Sequence, residues 1–393
     1  MTRTIMLIAG EASGDRIASR AVRAVNALAR ERGIEVSIFG IAGDESLAEG
    51  VECLYNAREM SVVGFVEVAR RFRFFRNVLR EMTELLDTRR PDVLLLIDYP
   101  GFNIRLAREA KKRGIRVVYY VSPQVWAWHA SRIEVLKQVV DEMLVVFPFE
   151  EKLYRDYGLA NAHFIGHPLV ERIEEERSAF RSREEFARAY GLDATKDWLL
   201  VFSGSRTEEV RRFLPTMARA ANVFVARHNF LPILVESEAI EEFRYDLSVE
   251  SDPSDRSTKL IRFRDAKATH ELMSHATLGI LKSGTTTLEA ALLGLPGVIC
   301  YKTHPISFAI GKRLVKLPYV GLANIVLGRK LYPELLQKDM SVEQIVTELD
   351  EILARADDFR RSLQGLADTL RGPAHRDQWP GPSRRVAETL LAS

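Results

Sequence analysis

Short runs of aliphatic and β-branched residues recur along the chain, separated by longer stretches in which apolar positions return every three or four residues. The first run, residues 4–9, stops at Gly10; from 15 to 32 the residues Ile17, Ala21, Val25 and Leu28 then mark one face of a helix. This spacing predicts a strand, a loop and a helix. Similar runs at 36–39, 93–97, 117–121 and 143–147 alternate with helical stretches, the pattern of a mainly parallel sheet covered on both faces. Residues 171–195 are charged and helical in character, with no sustained apolar run, and we place a domain junction there. The rhythm restarts with strands predicted at 198–202, 232–235, 260–263, 278–281 and 297–301, and with helices at 208–228, near 267–274 and from 285 onward. From 342 to about 371 the chain reads as helical, GPAHRDQWPGP breaks the pattern, and 384–391 is a last amphipathic stretch. The predicted class is α/β with two doubly wound, Rossmann-like domains, 1–180 and 181–370, and a tail, 371–393, whose helix crosses back to the first domain.

Composition narrows the class. With 47% hydrophobic and 28% charged residues in 393, the chain is a folded globular protein of about two domains, and general disorder is excluded. No uncharged apolar run approaches the roughly 18 residues that a spanning helix needs. Cys53 and Cys300 have no CxxC or Cys/His neighbourhood, so neither a disulfide framework nor structural zinc is expected, and a reducing cytoplasm is the expected compartment. Basic and acidic side chains, 56 against 54, nearly cancel, and no nucleic-acid partner is implied.

Candidate chemistry lies in the loops that follow predicted strands, where helix N-termini turn free N–H groups toward a ligand. IAGEASGD, residues 8–15, offers Gly10 and Gly14 for close backbone approach and Glu11 and Asp15 as carboxylates; it also suits an ordinary turn in which Asp15 caps a helix. FSGSRTEE, residues 202–209, sets Gly204, Ser205 and Arg206 before a helix, an anion pocket fit for a diphosphate, or else a plain cap with a surface arginine. In KSGTTTLE, residues 282–289, Ser283, Gly284 and Thr285 open a helix with further phosphate donors. Glu289, one turn on, can accept from a ribose diol or simply face solvent. Asp98 follows the apolar run 93–97 and precedes a Pro-Gly loop, so it reads as a general base at a strand's carboxyl end or as a turn former.

Absences also bear on the chemistry. The sequence has no GxxxxGK[ST], GxGxxG or GxSxG motif and no Asp-x-Asp pair, which removes support for kinase-like and serine-hydrolase readings. His270 and His275 in HELMSH are five apart where a zincin needs four, so no metal is expected there. Residues 60–80 interleave Val63, Phe65, Val66, Val68, Phe72 and Phe75 with arginines that include Arg73 and Arg76. Such a segment suits an anionic bilayer surface or a phosphorylated lipid, and equally a core helix with a basic outer face or a groove for a protein partner.

Taken together, IAGEASGD (8–15), SVVGFVEV (61–68), IDYPGFNIRLA (97–107), YYVSPQVWAW (119–128), PFE (148–150), FIGHPL (164–169), GSR (204–206), SGTTTLEAALLGLPGVICY (283–301) and NIVLGRKLYPELLQ (324–337) resemble the lipid A disaccharide synthase family, in order and over most of the chain. The resemblance implies a family-19 glycosyltransferase of GT-B architecture, with two Rossmann-like domains facing a central cleft. It implies inverting transfer of 2,3-diacylglucosamine from UDP-2,3-diacylglucosamine to 2,3-diacylglucosamine 1-phosphate, with no cofactor, at an anionic inner-membrane surface met peripherally from the cytoplasm. By position, Ser205 and Arg206 would hold the diphosphate, Ser283, Gly284 and Thr285 would sit beside it, and Glu289 would take the ribose. Asn324, Glu334 and Gln337 would line the nucleotide side, with a homodimer partner as one source of that block. Asp98 would be the base, with Glu11 and Asp15 nearby. Ser203 and Ala42 stand where the family usually carries Pro and Gly, and neither change removes a side chain with a proposed role. Rival readings are a sugar-nucleotide 2-epimerase, a transferase for another lipid-linked sugar, and a nucleotide-binding scaffold without catalysis.

Overall fold

The structure is a computed structural model that describes residues 2–60, 71–123, 125, 131–204, 207–236, 260–303, 318–372 and 380–392, with 131 and 207–209 described in backbone only. The chain divides into two compact units, Met1–Glu171 with Asp368–Ser393, and Arg172–Ala367.

In the first unit the described strands are β1 (Thr2–Ala9), β2 (Glu35–Ala42), β3 (Glu52–Asn56), β4 (Val93–Ile97), β5 (Arg116–Tyr120), β6 (Glu142–Val145) and β7 (Ala162–Phe164). They form one parallel sheet in the order β3-β2-β1-β4-β5-β6-β7. Parallel strands need crossover helices, which cover both faces, so central strands lose the polar alternation of an exposed sheet. Ile5 to Ala9 and all of β4 are accordingly buried. Strand order reverses between β1 and β4, and their register pairs Ala9 with Ile97. The residues that follow these strands, Gly10–Glu11 and Asp98, therefore emerge side by side at a topological switch point, where ligands of doubly wound sheets bind.

The helix Ala12–Arg32 buries Ala18, Ala21, Val22, Val25 and Leu28. Against it packs the C-terminal helix Gly381–Leu391, through Val386, Ala387 and Leu390. Arg384 pairs with Glu31 at 2.8 Å, and Ser383 Oγ donates to Glu171 Oε2 at 2.5 Å.

The second unit repeats the plan with β8 (Asp197–Phe202), β9 (Phe230–Val235), β10 (Ile261–Phe263), β11 (Leu278–Lys282), β12 (Gly297–Tyr301) and β13 (Glu334–Leu336). Its parallel order is β10-β9-β8-β11-β12-β13, with the reversal between β8 and β11. The loops carrying Gly204 and Ser283–Gly284 leave that second switch point.

The two-sheet α/β expectation holds, with differences at the edges. β3, β7 and β13 lack the long apolar run that marks a central strand: β3 has no buried residue, and β7 and β13 have three residues each. The helical tail from 342 is three helices, Val342–Ala354, Ala356–Leu363 and Leu366–Leu370.

Candidate active site

In the first unit the switch point is built around Asp98. Both Asp98 and Tyr99 adopt left-handed backbone conformations, φ 45° and 46°, which cost side-chain-bearing residues of order 1–3 kcal/mol each and persist only when neighbours enforce them. The neighbours are identifiable. Buried Asn103, on the helix Pro100–Lys112, donates through Nδ2 to the carbonyls of Ile97 at 3.2 Å and Asp98 at 2.8 Å, and Tyr119 Oη donates to the Asp98 carbonyl. Tyr99 Oη donates to the Met60 carbonyl at 3.0 Å, and its ring lies so close to Gly10 that a Cβ there would sit 2.5 Å from Cδ1. Glycine is required at 10 because the ring occupies the space of a side chain.

The strained turn leaves the Asp98 carboxylate with limited solvation. Burial, reinforced by the nearby Glu11 charge and opposed by the Tyr99 amide, pushes its pKa up to about 6. A carboxylate so poised is a competent base near neutrality. Glu11 is exposed, and among the described residues its side chain makes no capping bond to the helix it precedes.

Asp15 stands in the first turn of the helix Ala12–Arg32. It is buried, and its carboxylate accepts from the amides of Gly43 at 2.7 Å, Glu45 at 3.0 Å and Ser46 at 3.3 Å, so it anchors the short helix Asp44–Ala48. Three amide donors occupy most of the carboxylate's acceptor sites, which gives Asp15 a structural tie in addition to its place near Asp98's loop.

In the second unit, Gly204 closes β8 with φ 103°, and Ser205 and Arg206 lie outside the described residues. The other loop opens the helix Thr285–Leu293. Gly284 has φ 155°, a conformation that suits glycine, and it is followed by amides with no partner inside their own helix. Thr287 Oγ1 closes the turn by donating to the Gly284 carbonyl at 2.8 Å. Ser283 is buried and donates through Oγ to the Val320 carbonyl at 3.1 Å, so its hydroxyl ties this loop to the next. Thr285 is exposed at the helix start, and half-buried Glu289 lies one turn on.

Asn324, Glu334 and Gln337, expected on the nucleotide side, each hold loop backbone. Buried Asn324 donates to the Tyr332 carbonyl and to Glu334 Oε1, and accepts from the amides of Leu331 and Tyr332. All four of its hydrogen-bonding sites are taken. Glu334 accepts from the amides of Val320 and Gly321, and Gln337 exchanges two hydrogen bonds with the backbone of Thr303. Glu334 thus holds the Val320–Gly321 backbone to which Ser283 is also tied, and Gln337 holds Thr303.

Sequence reasoning missed the clamp on Asp98. Asn103 and Tyr119 stood inside the quoted blocks, but nothing in their spacing shows that both converge on one carbonyl.

Of the basic-apolar segment, Val63, Phe65, Val66 and Val68 lie outside the described residues. The helix Phe72–Thr88 follows. Phe72 is 58% exposed, and Arg73 and Arg76 are exposed beside it. Phe75 is half-buried, packing partly against the core and under the Arg71 guanidinium, 5.8 Å from its ring centroid. Among the described residues, no helix is long and apolar enough to cross a membrane.

The chain matches the family model for lipid-A-disaccharide synthetase over residues 5–370. It is 37% identical to the lipid-A-disaccharide synthase of Trichlorobacter lovleyi across 99% of this chain and 97% of that one. It is 34% identical to that of Coxiella burnetii across 100% and 99%. Among solved structures, it resembles UDP-GlcNAc 2-epimerase from Neisseria meningitidis bound to UDP-GlcNAc, with TM-score 0.61 and 12% identity over 99% of both chains. It also resembles CalG4, the calicheamicin glycosyltransferase, with TM-score 0.57 and 16% identity over 99% and 97%. At such identities these two likenesses speak to the fold alone, and they are GT-B proteins like the expected class. With a full-length family match and relatives above one-third identity, the chain belongs to the lipid-A-disaccharide synthase family.

Proposed function

We propose that the chain transfers 2,3-diacylglucosamine from UDP-2,3-diacylglucosamine to the 6-hydroxyl of 2,3-diacylglucosamine 1-phosphate, releasing UDP and the β-1,6-linked disaccharide 1-phosphate. The observation that carries the reading, beside family membership, is that each switch point bears one half of the required chemistry. The first holds a carboxylate with its pKa near 6, and the second holds glycine turns and free helix N-terminal amides suited to a diphosphate. Asp98 takes the proton of the acceptor hydroxyl as its oxygen attacks the anomeric carbon. The bond to the UDP oxygen breaks on the opposite side, which inverts the centre in one displacement. Charge developing on the departing diphosphate is met by the amides after Gly284 and by the turn of Gly204, Ser205 and Arg206. Glu289 accepts from the ribose.

The test is incubation of the purified chain with both acylated sugars, without added metal, followed by mass spectrometry. Disaccharide 1-phosphate and UDP in equal amounts are expected. Turnover of the UDP-sugar with no disaccharide formed would replace this reading with an epimerase or a hydrolase.

Both substrates are acylated, so we propose that the chain meets them at an anionic membrane surface through the segment ending in Phe72, Arg73 and Arg76, working from the cytoplasmic side. Each arginine near such a surface contributes about 1 kcal/mol. The triple variant Phe72→Ser, Arg73→Gln, Arg76→Gln is expected to lose at least about tenfold in partitioning to anionic vesicles. Raising the salt from about 0.1 M to 1 M should weaken the parent chain as well, because the screening length falls to about 3 Å. Co-sedimentation unchanged by both treatments would refute the docking surface.

A further inference from the structure

His270 takes no part in the chemistry above, and its sequence context served only to set a metal site aside. In the second unit it is 4% exposed, on the short helix Thr269–His275, and it stands between two carboxylates. Its Nδ1 lies 2.5 Å from Glu176 Oε2, and its Nε2 lies 3.7 Å from Glu289 Oε1. Glu176 is itself held by Arg172, whose Nε is 2.7 Å from Oε1. The series Arg172, Glu176, His270, Glu289 thus alternates in charge when the ring is protonated, and it ends on the carboxylate assigned to the ribose. The remaining charged neighbour on the histidine's own helix, Glu271, is turned to Arg181 at 2.8 Å.

We propose that His270 is a positioning residue that holds the Glu289 carboxylate ready for the ribose hydroxyls only while its ring is protonated, making selection of a ribonucleotide over a deoxyribonucleotide depend on pH. This deepens the reading above and rests on Glu289 contacting the ribose.

The chemistry follows from the two ring nitrogens. With both protonated, Nδ1–H serves Glu176, and Nε2–H faces Glu289, fixing one oxygen and leaving the other for the ribose. When the ring loses a proton, the remaining hydrogen stays on Nδ1, facing the closer and charge-supported Glu176. Nε2 then turns a lone pair toward the Glu289 carboxylate, and that repulsion frees the side chain to rotate away. Burial works against the charged ring, but the hydrogen bond with Glu176 and the nearby Glu289 carboxylate outweigh it and raise the pKa above the ordinary imidazole value. The ordered state therefore exists below the raised pKa and is lost as the pH climbs through it.

The full chain is titrated calorimetrically with UDP and with 2′-deoxy-UDP between about pH 6 and about pH 9, a range that brackets imidazole titration. The ratio of the two dissociation constants cancels the titration of the nucleotide phosphate. For the parent chain, a preference for UDP of about tenfold is expected at the acid end, the scale of one hydrogen bond to a charged group. It should shrink to about threefold or less at the alkaline end. His270→Leu should show the small ratio at every pH. His270→Gln, whose amide still donates toward Glu289, should keep a ratio that does not change with pH. A parent ratio that stays constant with pH overturns the proposal, whether or not the leucine variant folds. Glu289→Ala separates the two levels: if it leaves the ratio intact, the ribose assignment itself falls. If it abolishes the ratio while His270→Leu and pH leave it untouched, only the role of His270 falls.

Discussion

Replacing Asp98 by Asn is expected to lower turnover at least about a hundredfold, the magnitude of general-base catalysis, while leaving UDP binding in place. Asn is isosteric and is among the few residues that tolerate the left-handed backbone imposed at this position, φ 45°, so the loop should keep its shape. What it cannot do is accept a proton. The parent enzyme should also lose turnover on the acid side, falling as the pH drops through about 6, where the Asp98 carboxylate becomes protonated. That limb should be absent from any residual activity of Asp98→Asn. Stability should move the other way. A carboxyl whose folded pKa is raised from 3.8 to about 6 opposes folding whenever it is ionised in both states, and this burden is relieved as the pH falls through about 6. The neutral amide removes it, so the variant should melt no lower than its parent at neutral pH. Unchanged turnover in Asp98→Asn would eliminate it as the base and turn attention to exposed Glu11.

Asp15→Ala is expected to do the converse, costing about 3–5 kcal/mol in the first unit. It removes the acceptor for three amides, two of them in a buried setting, and an unsatisfied buried group costs about 1–3 kcal/mol. For a unit of this size each 1 kcal/mol lowers the melting temperature by about 2–4 °C, so a fall near 10 °C is expected in the first unit's transition. Scanning calorimetry, with the two units fitted separately, reads it. The fraction that remains folded at low temperature should turn over far closer to the parent rate than Asp98→Asn does. A variant that melts like its parent but has lost turnover would place Asp15 in the chemistry.

These two carboxylates illustrate what the sequence can and cannot tell. Both follow or flank a glycine-bearing loop after an apolar strand, and composition treats them alike. The difference lies 28 residues away in the chain, in the Gly43 amide that reaches Asp15. Central strands such as β1 and β4 were legible because burial on both faces leaves an unbroken apolar run. Edge strands such as β13 were not, since three residues, of which only Leu335 is buried, are too few to carry a period. For Asn324 and Glu334, expected on the nucleotide side, resemblance gives position without hydrogen-bond partners. Only geometry shows Asn324 spending three of its four hydrogen-bonding sites on the backbone of its own unit and the fourth on Glu334.

Because the helix Gly381–Leu391 closes over the helix Ala12–Arg32, the ribosome delivers the last piece of the first unit only after making the whole of the second. The second unit is contiguous and can close on itself as soon as it emerges. The first, though begun earlier, must wait with part of its oldest helix uncovered. In the nascent chain the order of completion is therefore the reverse of the order of synthesis.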